Sequence, residues 1–140
     1  MTTTDATRLI EAWAQAWSSP NGLEKLFSLF TDDYVYEDLA TGTHARGKQE
    51  LKAFFETVFR AVPDFKMELT SHFVAGNWAG AEWTWSGTQT GDFPGIPATN
   101  KDGSVRGASV FELQGNKFNR CSDYWDMATY LRQAGLMPSE

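Results

Sequence analysis

Residues 48–89 read KQELKAFFETVFRAVPDFKMELTSHFVAGNWAGAEWTWSGTQ, and the spacing of their apolar side chains changes within the stretch. From Lys48 to Ala61 apolar residues recur every three or four positions, which predicts one face of a helix. Val62-Pro63-Asp64 ends that pattern. From Phe65 to Ala75 apolar and polar residues largely alternate, which predicts a half-buried strand with Phe73 on its apolar side.

The remaining elements follow from the same spacing and capping rules. The predicted segments are a helix holding Leu9 to Trp17 and capped at Thr4-Asp5, a short helix from Leu23 to Phe30, a strand Tyr34–Asp38, a loop Gly42–Gly47, strands Trp78–Gln89, Ser104–Leu113 and Lys117–Trp125, and a last helix Met127–Gln133 capped by Asp126. Helices followed by hairpin-connected strands indicate an α+β fold, with three helices of the N-terminal half on one face of a curved antiparallel sheet. A length of 140 residues fits one domain, residues 1–140.

Composition excludes several classes of function. The net charge of -6 argues against nucleic acid and anionic membranes as partners, because both attract clustered Lys and Arg. Cys121 is the single cysteine, so no internal disulfide can form, and two histidines, His44 and His72, are too few to suggest a zinc site. No apolar stretch is long enough for a signal peptide or a membrane span, so we expect a cytoplasmic protein.

Three stretches carry a resemblance to a known family: Pro63-Asp64-Phe65, residues 87–99 (GTQTGDFPGIPAT) and residues 117–138 (KFNRCSDYWDMATYLRQAGLMP). They resemble the SnoaL-like polyketide cyclases, whose corresponding patterns read roughly GTHxGxFxGxPxTG and W-D-x-x-D followed by LLxQLG. Gln89 stands where that family has His, and Ser122 where it usually has Trp. The resemblance implies a nuclear transport factor 2-like fold, a cystatin-like α+β barrel in which a cone-shaped sheet and its helices enclose a pocket.

The resemblance also implies a reaction. SnoaL-like cyclases close a ring by an intramolecular aldol reaction of a polycyclic aromatic ketoester, with an Asp as acid and base and with neither metal nor organic cofactor. That Asp corresponds to Asp123. Proteins with this fold commonly dimerise through the sheet face, so we expect a homodimer. We expect its substrate to be a small hydrophobic or polycyclic molecule.

A second resemblance involves residues 29–38, LFTDDYVYED, which are similar to the first-strand motif of ketosteroid isomerases. The last Asp of that motif is their general base, and it corresponds to Asp38. Trp13 and Ser109 stand where those enzymes carry a Tyr and an acid that stabilise the enolate.

The residues themselves also favour these two acids. Asp123 shares one face of a predicted strand with Cys121 and Trp125, so it faces an apolar environment. Such an environment raises a carboxyl pKa towards the range of a general base. Asp38 shares a strand face with Tyr34 and Tyr36. If it faces the same cavity as Asp123, the two carboxyl groups shift each other's pKa values apart. Both acids also have a structural explanation. Asp123 would then be satisfied by the backbone, Arg106 or Arg120, and Asp38 would lie at a solvated strand end.

Aromatic side chains are numerous enough, at 14% of the chain, to line a cavity as well as fill a core. The predicted substrate-binding residues are Trp13, Trp17, Tyr36, His44, Trp83, Trp85, Ser109 and Trp125. Glu82 and His72 are expected to face solvent, and Cys121 to be a buried small residue. Three alternatives to the cyclase stay open: a non-catalytic dimer that binds a small hydrophobic ligand, a ketosteroid-isomerase-like enzyme using Asp38, and an epoxide hydrolase using Asp123, Arg106 and Asp38.

Overall fold

A computed structural model of the chain describes residues 2–138. Within that range the elements are α1 (Thr3–Trp17), α2 (Leu23–Ser28), β1 (Phe30–Asp38), β2 (Thr43–Arg46), α3 (Gly47–Ala61), β3 (Lys66–Ala75), β4 (Trp78–Thr88), β5 (Asp102–Gln114), β6 (Lys117–Trp125) and α4 (Met127–Gln133). The predicted α+β class, with helices in the N-terminal half followed by a run of strands, is confirmed. No helix among residues 2–138 has the length and apolarity to cross a membrane.

Helix α1 begins one turn earlier than its sequence suggests. Thr2 is the N-cap: its hydroxyl accepts from the Asp5 backbone N–H, and the Asp5 carboxylate accepts from the Thr2 N–H. The cap predicted at Thr4-Asp5 is therefore wrong, since Asp5 is the third-position partner of a capping box. At the other end, the Ser18 hydroxyl bonds to the backbone of Met67, which joins α1 to β3.

The six strands form one sheet in the order β2-β1-β6-β5-β4-β3. Neighbouring strands are antiparallel except for β1 and β6, which run parallel. Strand β2 occupies most of the segment predicted as a loop, Gly42–Gly47. It was missed because it is a four-residue edge strand in which Ala45 is the one buried residue, so it has no alternating pattern to detect.

Strand β3 contains the largest departure from the predicted facing of side chains. Its pairing with β4 shifts between Leu69 and Ser71, and such a bulge reverses which side chains face the core. Phe73, predicted on the apolar face, is 63% exposed and lies over Gly80 on the outer surface of the sheet. Val74 packs against the core in its place.

The core lies between the helices and the inner face of the sheet, and it is rich in aromatic side chains. Phe111 stacks on Phe118 with ring centroids 4.4 Å apart, and Trp13 meets Phe111 edge-on at 5.1 Å. At the other end of the sheet, Tyr130 of α4 packs against Trp85. Because the core fills the space under the middle of the sheet, the site described next is confined to one end of it.

Candidate active site

Two carboxyl groups meet at the seam between the parallel strands. Asp123 of β6 lies directly across from Asp38 of β1 in the strand register. Both point to the inner face, with 5% and 7% of their surface exposed. The predicted alternation of β6 is confirmed, since Cys121 is buried on the same face and Trp125 follows at the mouth.

Asp123 accepts hydrogen bonds on both of its oxygens. The Tyr36 hydroxyl donates to Oδ2, while the Ser109 hydroxyl (2.5 Å) and the Cys121 thiol (3.4 Å) donate to Oδ1. Ser109 in turn accepts from the Trp83 indole N–H at 2.9 Å. These contacts fix the orientation of the carboxyl group and leave Oδ2 with one protein donor.

Burial raises the pKa of Asp123 from 3.8 to about 7, because the charged form loses its water. The donors from Ser109 and Tyr36 lower it in part, and the charge of Asp38 raises it further. A carboxyl group that titrates near neutral pH can both accept and return a proton under physiological conditions.

Asp38 is held by a different set of donors. The Trp125 indole N–H lies 3.0 Å from both carboxyl oxygens, and the backbone N–H groups of Ala40 and Thr41 donate to Oδ1 at 3.0 and 3.2 Å. Burial raises the pKa of Asp38 above 3.8, and these hydrogen bonds oppose the rise. The two acids therefore differ in environment although they lie side by side.

Both acids open into one cavity. Its volume is about 50 Å³, and its empty space together with the open mouth is about 420 Å³. The part of the cavity that Asp38 and Asp123 border is called the floor below. The lining consists of Trp17, Tyr36, Asp38, Phe54, Val58, Phe65, Met67, Trp83, Trp85, Phe93, Asp123 and Trp125.

The family follows from the sequence match together with this geometry. The sequence model of the SnoaL-like polyketide cyclases matches residues 7–134. The chain belongs to the SnoaL-like polyketide cyclase family. No curated protein matches it significantly.

Solved structures agree with this assignment at the level of the fold. TsrD from Streptomyces laurentii is 25% identical with a TM-score of 0.86, covering 98% of this chain and 99% of that one. A proposed SnoaL-like polyketide cyclase from Jannaschia Sp. CCS1 is 15% identical, also with a TM-score of 0.86 and coverages of 97% and 95%. A hypothetical protein of ketosteroid isomerase-like fold from Catenulispora acidiphila DSM 44928, solved in complex with trimethylamine, is 23% identical with a TM-score of 0.81 and coverages of 92% and 93%.

Most of the residues predicted for this SnoaL-like site come together. Trp17, Tyr36, Trp83, Trp85 and Trp125 line the cavity with the two acids. Tyr36 does more than line it, because its hydroxyl also binds Asp123.

Three of the predicted substrate-binding residues do not line the cavity. Trp13 lies one helical turn before Trp17 on the same helix face, and there it is wholly buried in the core against Trp83 and Phe111. His44 lies on the edge strand with 57% of its side chain exposed, 3.4 Å from Glu37. Ser109 is buried behind Asp123 and contacts that acid, so the structure gives it a positioning contact in place of a ligand contact.

The arginine of the epoxide-hydrolase alternative is also misplaced. Arg106 lies on the outer face of the sheet, with 82% of its side chain exposed and Glu82 3.8 Å away. It neighbours Gly107, whose partner across the strands is Trp125, so strand alternation directs Arg106 away from the acids. The Asp-Arg-Asp arrangement is therefore not formed. The solvent exposure predicted for Glu82 and His72 and the N-cap role of Asp126 are confirmed.

Sequence reasoning missed Gln89, which organises one wall of the mouth. Its side-chain amide is buried and donates to the carbonyls of Gly91, Ile96 and Pro97, and it accepts from the Tyr130 hydroxyl. These bonds hold the loop that carries Phe93 into the cavity lining. The signal was its place in the family motif, where Gln replaces His. Phe54, Phe65 and Met67 were also missed, since helical and strand spacing predicts burial without distinguishing core from cavity.

Among residues 2–138, no group of three or more His, Cys, Asp or Glu side chains is arranged to hold a metal ion.

Proposed function

We propose that this chain is an acid/base enzyme in which Asp123 removes a proton from a carbon atom activated by neighbouring carbonyl groups. One observation carries the proposal: a buried carboxyl group with a pKa of about 7, held by fixed donors, opens into an aromatic cavity. A merely structural aspartate gains nothing from such a position, because burying a carboxyl group costs stability unless its charge is compensated.

The reaction that fits the family is an intramolecular aldol ring closure. Asp123 takes the proton from a carbon between two activating groups, and the resulting enolate attacks a ketone carbon of the same molecule. One carbon–carbon bond forms, and the ketone C=O becomes an alkoxide. That alkoxide takes a proton back from Asp123, which restores the starting protonation state, or from Asp38, which Asp123 then reprotonates.

The contacts of Asp123 suit this cycle. Ser109 and Cys121 both donate to Oδ1, whereas Oδ2 has a single protein donor, Tyr36. The free lone pair of Oδ2 is the one available to a substrate C–H group. The indole walls from Trp85 and Trp125 would stack on a flat, delocalised enolate.

The size of the cavity limits how a polycyclic ketoester could bind. A volume of about 50 Å³ admits only the reacting edge of such a molecule. Its ring system would lie in the mouth, against the wall formed by Phe93 and its loop. Shape at the mouth would then decide which face of the ketone is attacked.

The test compares turnover of an anthraquinone-type acid methyl ester by the wild type and by Asp123→Asn, followed by absorbance. We expect the variant to be slower by about a hundredfold or more, since it keeps the shape and loses the base. Glu82→Gln, which removes an exposed carboxylate from the outer face of the same sheet, is the matched control and should retain full activity.

Asp38→Asn separates this proposal from the ketosteroid-isomerase-like alternative. If Asp38 is the base, its variant loses activity and Asp123→Asn retains it, which would contradict the assignment. Equal activity of wild type and Asp123→Asn would also contradict it. A wild type that binds this ester without turning it over would favour the ligand-binding alternative.

A further inference from the structure

The cavity wall is both aromatic and acidic. Eight of its twelve lining residues are aromatic and two are carboxylic acids, while Val58 and Met67 complete the set. None of the twelve is Lys, Arg or His. The faces of aromatic rings carry partial negative charge, so a ring face turned to the cavity has the same sign of electrostatic potential as the ionised acids.

We propose that this cavity binds a small organic cation, a protonated or quaternary alkylammonium group, held between the aromatic walls and the carboxyl groups of Asp38 and Asp123. This inference concerns the same cavity as the proposed function but not its chemistry, because it requires binding and no turnover.

Other ligand classes fit the floor less well. An anion would approach two carboxyl groups whose nearby donors, Tyr36, Ser109 and Trp125, are already directed at those carboxyls. A hydrocarbon group without polar atoms would displace water from the acids and offer no charge in return, which is costly in a buried site, whereas the ketoester of the proposed function brings the proton that Asp123 removes. An alkylammonium group supplies the missing charge and places its methyl groups against the rings, as in aromatic cages for methylated amines.

The dimensions favour a compact head. The cavity volume of about 50 Å³ is well below the roughly 150 Å³ of an engineered cavity that holds benzene, so no ligand of that size is fully enclosed. One or two methyl groups on the nitrogen would reach the acids, and the rest of the ligand would occupy the mouth.

The same acids make binding depend on pH. The titratable groups that face the floor are Asp123, Asp38, Tyr36 and, behind Asp123, Cys121. Burial raises the pKa values of Tyr36 and Cys121, so both groups stay neutral at pH 6 to pH 8. Burial also raises the pKa of Asp38. Asp123, with its pKa of about 7, gains charge between pH 6 and pH 8. A cation should bind more tightly at pH 8, where Asp123 is ionised.

The test is a calorimetric titration of the full chain at pH 8 with tetramethylammonium chloride, and with tert-butanol as the neutral compound of similar shape. We expect the cation to bind about tenfold or more tightly than the alcohol. Its affinity should fall at pH 6. Sodium chloride at matched concentration controls for ionic strength.

Variants locate the site. Asp123→Asn and Trp85→Leu should each weaken tetramethylammonium binding several-fold, through lost charge and lost ring face respectively. The matched controls are Glu82→Gln and Trp78→Leu, an acid and an indole on the outer face of the sheet, which should leave affinity unchanged. Circular dichroism checks that each variant is folded, and the wild-type pH comparison stands without any variant.

Equal affinity for tert-butanol and tetramethylammonium would overturn the proposal, as would no binding of either, or binding that the two control variants weaken as much as the cavity variants. Hexyltrimethylammonium distinguishes the two sources of such a ligand. Tighter binding than tetramethylammonium identifies the head of a larger molecule whose tail fills the mouth, and equal binding identifies a free small amine. Loss of turnover in the aldol assay would leave this result unaffected, so the two proposals fail separately.

Discussion

Asp123→Asn should remove most of the pH dependence of folding stability between pH 4 and pH 7. The pKa of Asp123 rises from 3.8 to about 7 on folding, so between these values the folded state holds a proton that the unfolded state releases. Stability contributed by the neutral acid is present below pH 4, is lost as the pH rises towards 7, and changes little above it.

The size of the effect follows from the shift. About three pH units, at about 1.4 kcal/mol each, correspond to about 4 kcal/mol of unfolding free energy. This is a large fraction of the 5–15 kcal/mol typical of a domain. Asp38 adds a change of the same sign, because burial raises its pKa as well. The variant also removes the repulsion that Asp38 experiences from Asp123.

The assay is urea unfolding of wild type and variant at several pH values from 4 to 8. The quantity to compare is the slope of unfolding free energy against pH. Replacing the carboxyl by an amide also changes hydrogen bonds, but by an amount that does not depend on pH and so leaves this slope unchanged. Glu82→Gln should keep the wild-type slope. Parallel curves for wild type and Asp123→Asn would refute the reasoning, because they would mean that Asp123 is ionised or solvated in the folded protein.

Two further predictions concern the neighbours of this acid. Tyr36→Phe removes a donor that lowers the pKa of Asp123, so the midpoint of the kcat/KM profile should move to higher pH; an unchanged midpoint would show that the hydroxyl does not tune the base. Gly107→Ala should cost about 1–3 kcal/mol in urea unfolding, because its Cβ would lie 2.5 Å from the Trp83 ring and 2.8 Å from Trp125 Cβ. Gly103→Ala, with its nearest contact at 3.0 Å on the Tyr130 ring, should cost less.

The sequence was informative where one element followed one period. Strand β6 has no irregularity from Cys121 to Trp125, so simple alternation placed Asp123 on the inner face. Strand β3 shows the opposite case. Its bulge after Leu69 is invisible in the spacing, and it turned Phe73 out to solvent. Local patterns therefore predict facing only as far as the next irregularity in the pairing.

The parts of the site that could not be predicted depend on contacts between distant segments. Helical spacing gives Trp13 and Trp17 the same apolar face, and only the filling of the core by Phe111 separates a buried Trp13 from a cavity-lining Trp17. The adjacency of Asp38 and Asp123 likewise depends on the strand order, which the sequence alone does not state. Residue types identified the candidates, and the sheet decided which of them meet.

The parallel pairing of β1 with β6 has a consequence for how the protein assembles. The two strands stand at opposite ends of the sheet-forming sequence, so every other strand is synthesised between the two acids. Contacts of such long range form late, since the connecting chain must be ordered first. A chain in which β1 and β6 have not yet paired therefore does not hold its two carboxyl groups side by side. Their mutual burial depends on that pairing, which also needs the chain between the two strands to be brought together.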